Sequence, residues 1–188
     1  MNYKRILHLI KNLVTQPRTE TIRLVGETEN IGLLFKKLII PTALAVIVAQ
    51  FAGNVVFGHY YFSQIPEFLL KVCAPVFMTL ALSSILYPIL LNEILQYFAL
   101  HNKLSRSFYI ITYAFIPVLA MEFTIGLLPK LRPMLSLFNI YSYYILWLML
   151  KAEYPDISNH THRNVALTAI ISMALLHWAI VACTKFLL

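Results

Sequence analysis

The chain has 188 residues, 60% of them hydrophobic and only 12% charged, and fifteen Lys and Arg against eight Asp and Glu give a formal net charge of +7. A soluble domain carries roughly a quarter of its residues as charges, so a surface covered throughout by water is excluded, and a mean hydropathy of +0.73 points to lipid instead. The length leaves no room for a separate soluble catalytic domain beside one helical unit, and no basic stripe interleaves with aromatics outside the apolar runs, which argues against nucleic acid.

Residues 1–30 form a polar prelude. Tyr3, Ile6, Leu7, Ile10, Leu13 and Val14 recur at the spacing of one helical face, with Lys4, Arg5, His8, Lys11 and Asn12 on the other. Such a helix either lies in the headgroup plane, meeting anionic lipid through Lys4, Arg5 and Lys11, or docks on the protein's own cytoplasmic end. Pro17 ends it, because proline donates no amide and clashes with the preceding turn. A second short helix over about 19–27 is expected next.

From residue 31 to 188 the pattern is that of an all-α transmembrane domain. Five apolar stretches, about 38–57, 69–99, 108–128, 134–151 and 165–187, each approach or exceed the ~20 residues that cross a bilayer as a helix. In lipid a spanning backbone must satisfy its own amides, so these are helices. The second stretch is too long for one perpendicular span and carries Pro75 and Pro88, which predicts tilt, a kink or extension beyond the membrane, and Pro117 predicts a bend in the third. With the N-terminus inside, Lys4, Arg5, Lys11, Arg18, Arg23, Lys36, Lys37, Lys103, Arg106, Lys151 and Arg163 are cytoplasmic. Only Lys71, Lys130, Arg132 and Lys185 fall outside, which favours a cytoplasmic N-terminus and an outer C-terminus. Cys73 and Cys183 both lie in apolar segments and are expected to be buried thiols.

The order of parts carries a resemblance. A short amphipathic prelude with a proline precedes five spans. The third span holds Tyr113-Ala114-Phe115-Ile116-Pro117, a tight Leu128-Pro129 turn follows, and the fourth holds Asn139-Ile140-Tyr141-Ser142-Tyr143-Tyr144. This resembles the Yip (Ypt-interacting protein) family in its short, bacterial-type form. The Asp-Leu-Tyr-Gly-Pro signature of the eukaryotic members is absent, and Leu38-Ile39-Ile40-Pro41 stands nearest to it. The resemblance implies a five-helix fold with a cytoplasmic N-terminus, placed in a bacterial inner membrane by the short form. In eukaryotic members it also implies contact with small GTPases and a part in vesicle traffic.

Polar groups inside lipid are costly, so each is a candidate site. Glu122, just past Pro117, is the foremost, and His177, Gln50, Asn54 and Asn139 fall at similar depth on other spans. Together they form either a pocket for an ion, a proton or a small polar ligand, or hydrogen-bonded glue between helices. A second group, Asn92, Glu93 and Gln96, lies near the inner end of the second span, where Glu93 is placed to pair with Lys103 or Arg106 or to reach headgroup water. Asp156, His160 and His162 have a spacing compatible with metal but sit in a short polar loop. Tyr141, Tyr143, Tyr144 and Trp147 read as helix packing.

No nucleotide cradle or nucleophile elbow is present, so neither a cofactor nor an enzymatic activity is expected. The leading expectation is a non-enzymatic membrane organiser or adaptor for another membrane or cytoplasmic protein. The alternative is a small oligomeric transporter or channel built on the Glu122/His177 group.

Overall fold

The computed structural model describes residues 3–27, 30–57, 65–100, 103–135 and 139–187. Two short helices come first, α1 (Tyr3–Thr15) and α2 (Pro17–Val25). Proline is well suited to the first helical turn, where its missing amide has no partner to lose. Pro17 therefore both closes α1 and opens α2, two residues before the start the sequence suggested. The apolar stripe of α1 divides: Leu9 and Leu13 are buried, while Leu7 and Val14 face outward.

The chain then forms a multi-pass helical membrane protein. Three helices are long and apolar enough to cross a bilayer: α3 (Ile31–Val56), α4 (Ile65–Tyr97) and α8 (Asn159–Leu187). Two bent pairs bring the candidates to five. α5 (Leu104–Ala114) meets α6 (Ile116–Leu127) at 42°, and the short turn Pro129–Leu135 meets α7 (Asn139–Glu153) at 48°. These follow the five apolar stretches; α3, α4, α5 and α8 start earlier than their apolar runs, whereas α7 starts later, at Asn139.

The prolines act in different ways. A helical proline clashes with the carbonyl four residues before it. For Pro41 and Pro75 those carbonyls belong to Lys37 and Lys71, and both lie in π-helical turns, Phe35–Ile39 and Leu69–Cys73. The wider turn moves the carbonyl aside, so the helix continues. Pro117 is accommodated by a break at Phe115, the bend expected of the third span. Pro88 sits within Ala74–Tyr97 with no break in the helix, and the π turn preceding Pro75 carries the helix past that proline, so Ile65–Tyr97 runs as one long helix without the expected kink.

Packing is densest at one end of the bundle, where α1, α2, α5, α7 and the beginning of α8 surround Leu13, Leu24, Ile110, Leu146, Met149 and Ala166. Arg106 and Glu153 mark this end. Toward the other end the helices are thinly packed and present apolar side chains such as Val48 and Leu70 outward, as lipid contact requires. One crossing there is intimate. α3 and α6 make the most extensive helix pair in the structure, and they touch backbone to backbone at Gly53 and Gly126. A Cβ on Gly53 would stand 1.9 Å from the Gly126 carbonyl oxygen, and one on Gly126 would meet the Gln50 amide nitrogen at 2.7 Å.

Because the obstructing atoms are backbone, no side chain is there to swing away. Gly53→Ala is expected to lower the melting temperature in a single detergent by about 5 °C, the scale of an overpacked core in a chain of this size. Gly32→Ala, which meets only the Asn30 side chain at 3.3 Å, is expected to melt like the wild type. Equal melting of all three proteins would contradict the crossing.

Candidate functional site

Among the described residues, the polar side chains singled out within the spans do not join into one hydrogen-bonded network. Gln50 is 2% exposed at the α3–α6 crossing. Asn54 donates to the Gln50 carbonyl at 2.7 Å, which keeps it within its own helix. Glu122 is half-buried on α6, and the charge acting on it is that of Arg132 on the following turn. His177, on α8, shares a 2.9 Å hydrogen bond with the Tyr87 hydroxyl of α4. Asn139 stands at the start of α7. Among the described residues, Gln50 Nε2 and Asn139 Oδ1 are buried without a hydrogen-bond partner.

The second group divides as well. Asn92 is buried, whereas Glu93 and Gln96 are exposed and line a shallow depression of about 590 Å³ with Tyr97, Ile94 and Thr168. Among the described residues Glu93 makes no ion pair. Of the two cations expected to meet it, Lys103 and Arg106, the second goes to Glu153.

Arg106 is the centre of the arrangement that the sequence did not disclose. Its guanidinium binds Glu153 at the end of α7 through two bonds, Nε to Oε1 at 2.8 Å and Nη2 to Oε2 at 2.5 Å. It also donates to the Glu27 carbonyl at 3.1 Å and to the Val25 carbonyl. A helix leaves its last carbonyls without amide partners, and here a charged fork supplies them for α2. Tyr109, one turn further along α5, donates to the Leu24 carbonyl at 2.8 Å and carries the Arg106 guanidinium over its ring at 5.1 Å. The end of α1 is closed the same way: the Tyr141 hydroxyl of α7 donates to the carbonyls of Leu13 at 2.7 Å and Val14 at 3.3 Å.

The prelude is thus a helical hairpin clamped along α5 and α7, which is the docked form of the two that the sequence allowed. The side chains of Lys4 and Arg5 lie outside the described ones. Between its helices is a partly open cavity of about 260 Å³ lined by His8, Leu9, Asn12, Glu20, Arg23, Leu24 and Tyr113. Glu20 is 5% exposed and receives bonds from Arg23 and, at 3.2 Å, from Asn12. Burial alone would raise its carboxyl, but those two bonds and the Arg23 charge outweigh it and hold the pKa below the ordinary 4.5. Next to the clamp, burial pushes the Tyr154 phenol up to about 12.

The remaining candidates have structural partners. His162 belongs to α8 and is buried with its ring edge-on to Trp147 at 4.6 Å and its Nε2 donating to the Trp147 carbonyl at 3.3 Å. His160 and Asp156 are exposed. Among the described residues no group of three or more His, Cys, Asp or Glu side chains is arranged to hold a metal. Tyr143 packs edge-on to Phe115 at 6.0 Å, and Tyr87 tilts against Phe115 at 5.2 Å, so these rings fill the bend in the third span. Cys73 is buried as expected, whereas Cys183, also expected to be buried, is exposed, because an apolar helix in lipid turns part of its surface outward. The chain matches no family model, no characterised protein and no solved structure.

Removing one partner of a partly buried pair strands the other, at a cost between that of an exposed pair and a buried one, about 2 kcal/mol. Arg106→Leu additionally frees the Val25 and Glu27 carbonyls. It is expected to expose residues 3–25 to limited proteolysis in detergent, while Arg106→Leu/Glu153→Leu recovers part of the protection. A proteolysis pattern unchanged in Arg106→Leu would remove the clamp.

Proposed function

We propose that this protein is a non-enzymatic membrane organiser of the Yip type, acting from a bacterial inner membrane with its hairpin on the cytoplasmic side. The observation that carries this reading is the clamp. Side chains from two spans, separated from their targets by 79 to 128 residues of chain, hold the carbonyls of α1 and α2. A hairpin fixed in this way is a rigid platform that presents the same outward face at all times, which suits contact with another membrane component.

Support also comes from where the polar groups stand. The cavity and the depression both lie toward the Arg106 end, and neither includes Glu122, His177, Gln50, Asn54 or Asn139. Those residues are distributed over separate helix contacts, with Asn54 bonded within α3 and His177 bonded to Tyr87. Of these, the His177–Tyr87 bond joins two helices, the kind of polar contact that acts as interhelical glue at about 0.6 kcal/mol. The resemblance in the order of proline, aromatic and apolar segments agrees with the organiser reading.

The test is ion and proton flux in proteoliposomes, comparing wild type with Glu122→Gln at matched protein content. No flux above that of empty liposomes is expected from either protein. Flux in the wild type that disappears in Glu122→Gln would overturn the organiser in favour of a transporter centred on that carboxyl group.

A further inference from the structure

The clamp fixes which side of the hairpin faces outward and how far along the bundle it reaches. Arg106 and Glu153 join the end of α2 to one end of the bundle. Tyr141, which holds the end of α1, lies twelve residues back along α7, about 18 Å at the helical rise of ~1.5 Å per residue. The bend between α1 and α2 therefore stands well along a helix that belongs to a candidate span.

The outward face carries two kinds of side chain. Leu7, Val14 and Ile22 are exposed, at 67%, 55% and 66%. Lys11 and Arg18 are exposed among them. Leu7, Lys11 and Val14 follow the spacing of one helical line, and Arg18 and Ile22 are one turn apart on α2. The carboxylates of the hairpin do not serve these cations. Arg23 donates to Glu20 through Nε at 3.2 Å and to Glu27 through Nη1 at 2.8 Å. Among the described residues Lys11 and Arg18 have no carboxylate partner.

A cation beside a spanning helix is tolerated when its long stem reaches headgroups or when the headgroups are drawn toward it. We propose that the outer face of α1–α2 is a docking surface for anionic phospholipid. The lipid phosphates sit at Lys11 and Arg18, and the acyl chains lie against Leu7, Val14 and Ile22. Headgroups are thereby pulled in alongside α7, so the hairpin thins the leaflet locally and enriches it in acidic lipid. This goes beyond the organiser reading, which could fail in the flux assay while the lipid contact stands.

The experiment uses the full chain with Cys73→Ala and Cys183→Ala, labelled with bimane at Val14→Cys or, as a lipid-facing reference, at Val48→Cys. Each protein is placed in bilayers containing acyl-brominated phosphatidylglycerol or acyl-brominated phosphatidylcholine at equal mole fraction. Both positions are expected to be quenched. At position 14 the anionic lipid is expected to be favoured about fivefold, a preference lost in Lys11→Gln/Arg18→Gln and weakened by added salt. The salt titration needs no further variant, so a folding defect in the double substitution leaves the test intact. Quenching at position 48 without quenching at position 14 would overturn the proposal, showing that water or a second copy covers this face. Equal quenching of position 14 by both lipids would overturn it too.

Discussion

Two short helices with no membrane span of their own have eight terminal carbonyls between them that no amide of the same helix can meet. Left to water, such helices fray, and thirteen and nine residues are marginal lengths for a helix standing alone. Here the carbonyls of Leu13, Val14, Leu24 and Val25, and that of Glu27 just beyond α2, are met by Tyr141, Tyr109 and Arg106. The donors come from α5 and α7, so satisfying the helix ends also positions the hairpin. The buried core at this end, with Leu9, Leu13 and Leu24 packed among Ile110, Leu146 and Met149, follows from that placement.

The other end of the bundle obeys a different constraint. Lipid offers no hydrophobic drive for helices to associate, so close backbone approach and polar contacts decide the packing. The Gly53–Gly126 crossing supplies the first and places Gln50 and Asn54 beside it. The Tyr87–His177 and Thr79–Thr184 hydrogen bonds between α4 and α8 supply the second. A protein with a soluble-like core at one end and a lipid-like fringe at the other is suited to hold a polar surface against a membrane without being carried into it. The outward cations Lys11 and Arg18, with Leu7, Val14 and Ile22 around them, stand where those two regimes meet.

The spans were legible because hydrophobic length is a local property. The runs around Leu44–Val48 and Ala169–Leu176 announce helices whatever surrounds them. Pro117 likewise declared its bend, since the clash it causes is with its own chain. Pro41 and Pro75 were less transparent, because a π turn relieves the same clash without a bend. The amphipathic stripe of α1 was plain, but its destination was not. Docking depends on donors 79 to 128 residues away, and no spacing rule connects Glu27 to Arg106 or Leu13 to Tyr141. Glu153 was available as a signal, an acid at the end of an apolar run with Lys151 beside it. Arg106 had a nearer carboxylate in sequence, Glu93, and local reading favours the nearer. His162 looked like loop chemistry because its neighbours are polar, yet the helix of α8 begins at Asn159 and turns that ring onto Trp147.

The clamp is tested most directly by placing a photoreactive side chain at one of its contacts. Tyr141 replaced by p-benzoylphenylalanine keeps an aromatic group beside the Leu13 carbonyl, and irradiation of the full chain in bilayers, followed by mass spectrometry, identifies what it touches. Adducts to a peptide within residues 9–16 are expected. Adducts confined to lipid, or to segments outside α1, would mean that the hairpin does not rest on α7, and the platform built on it would fall with the clamp.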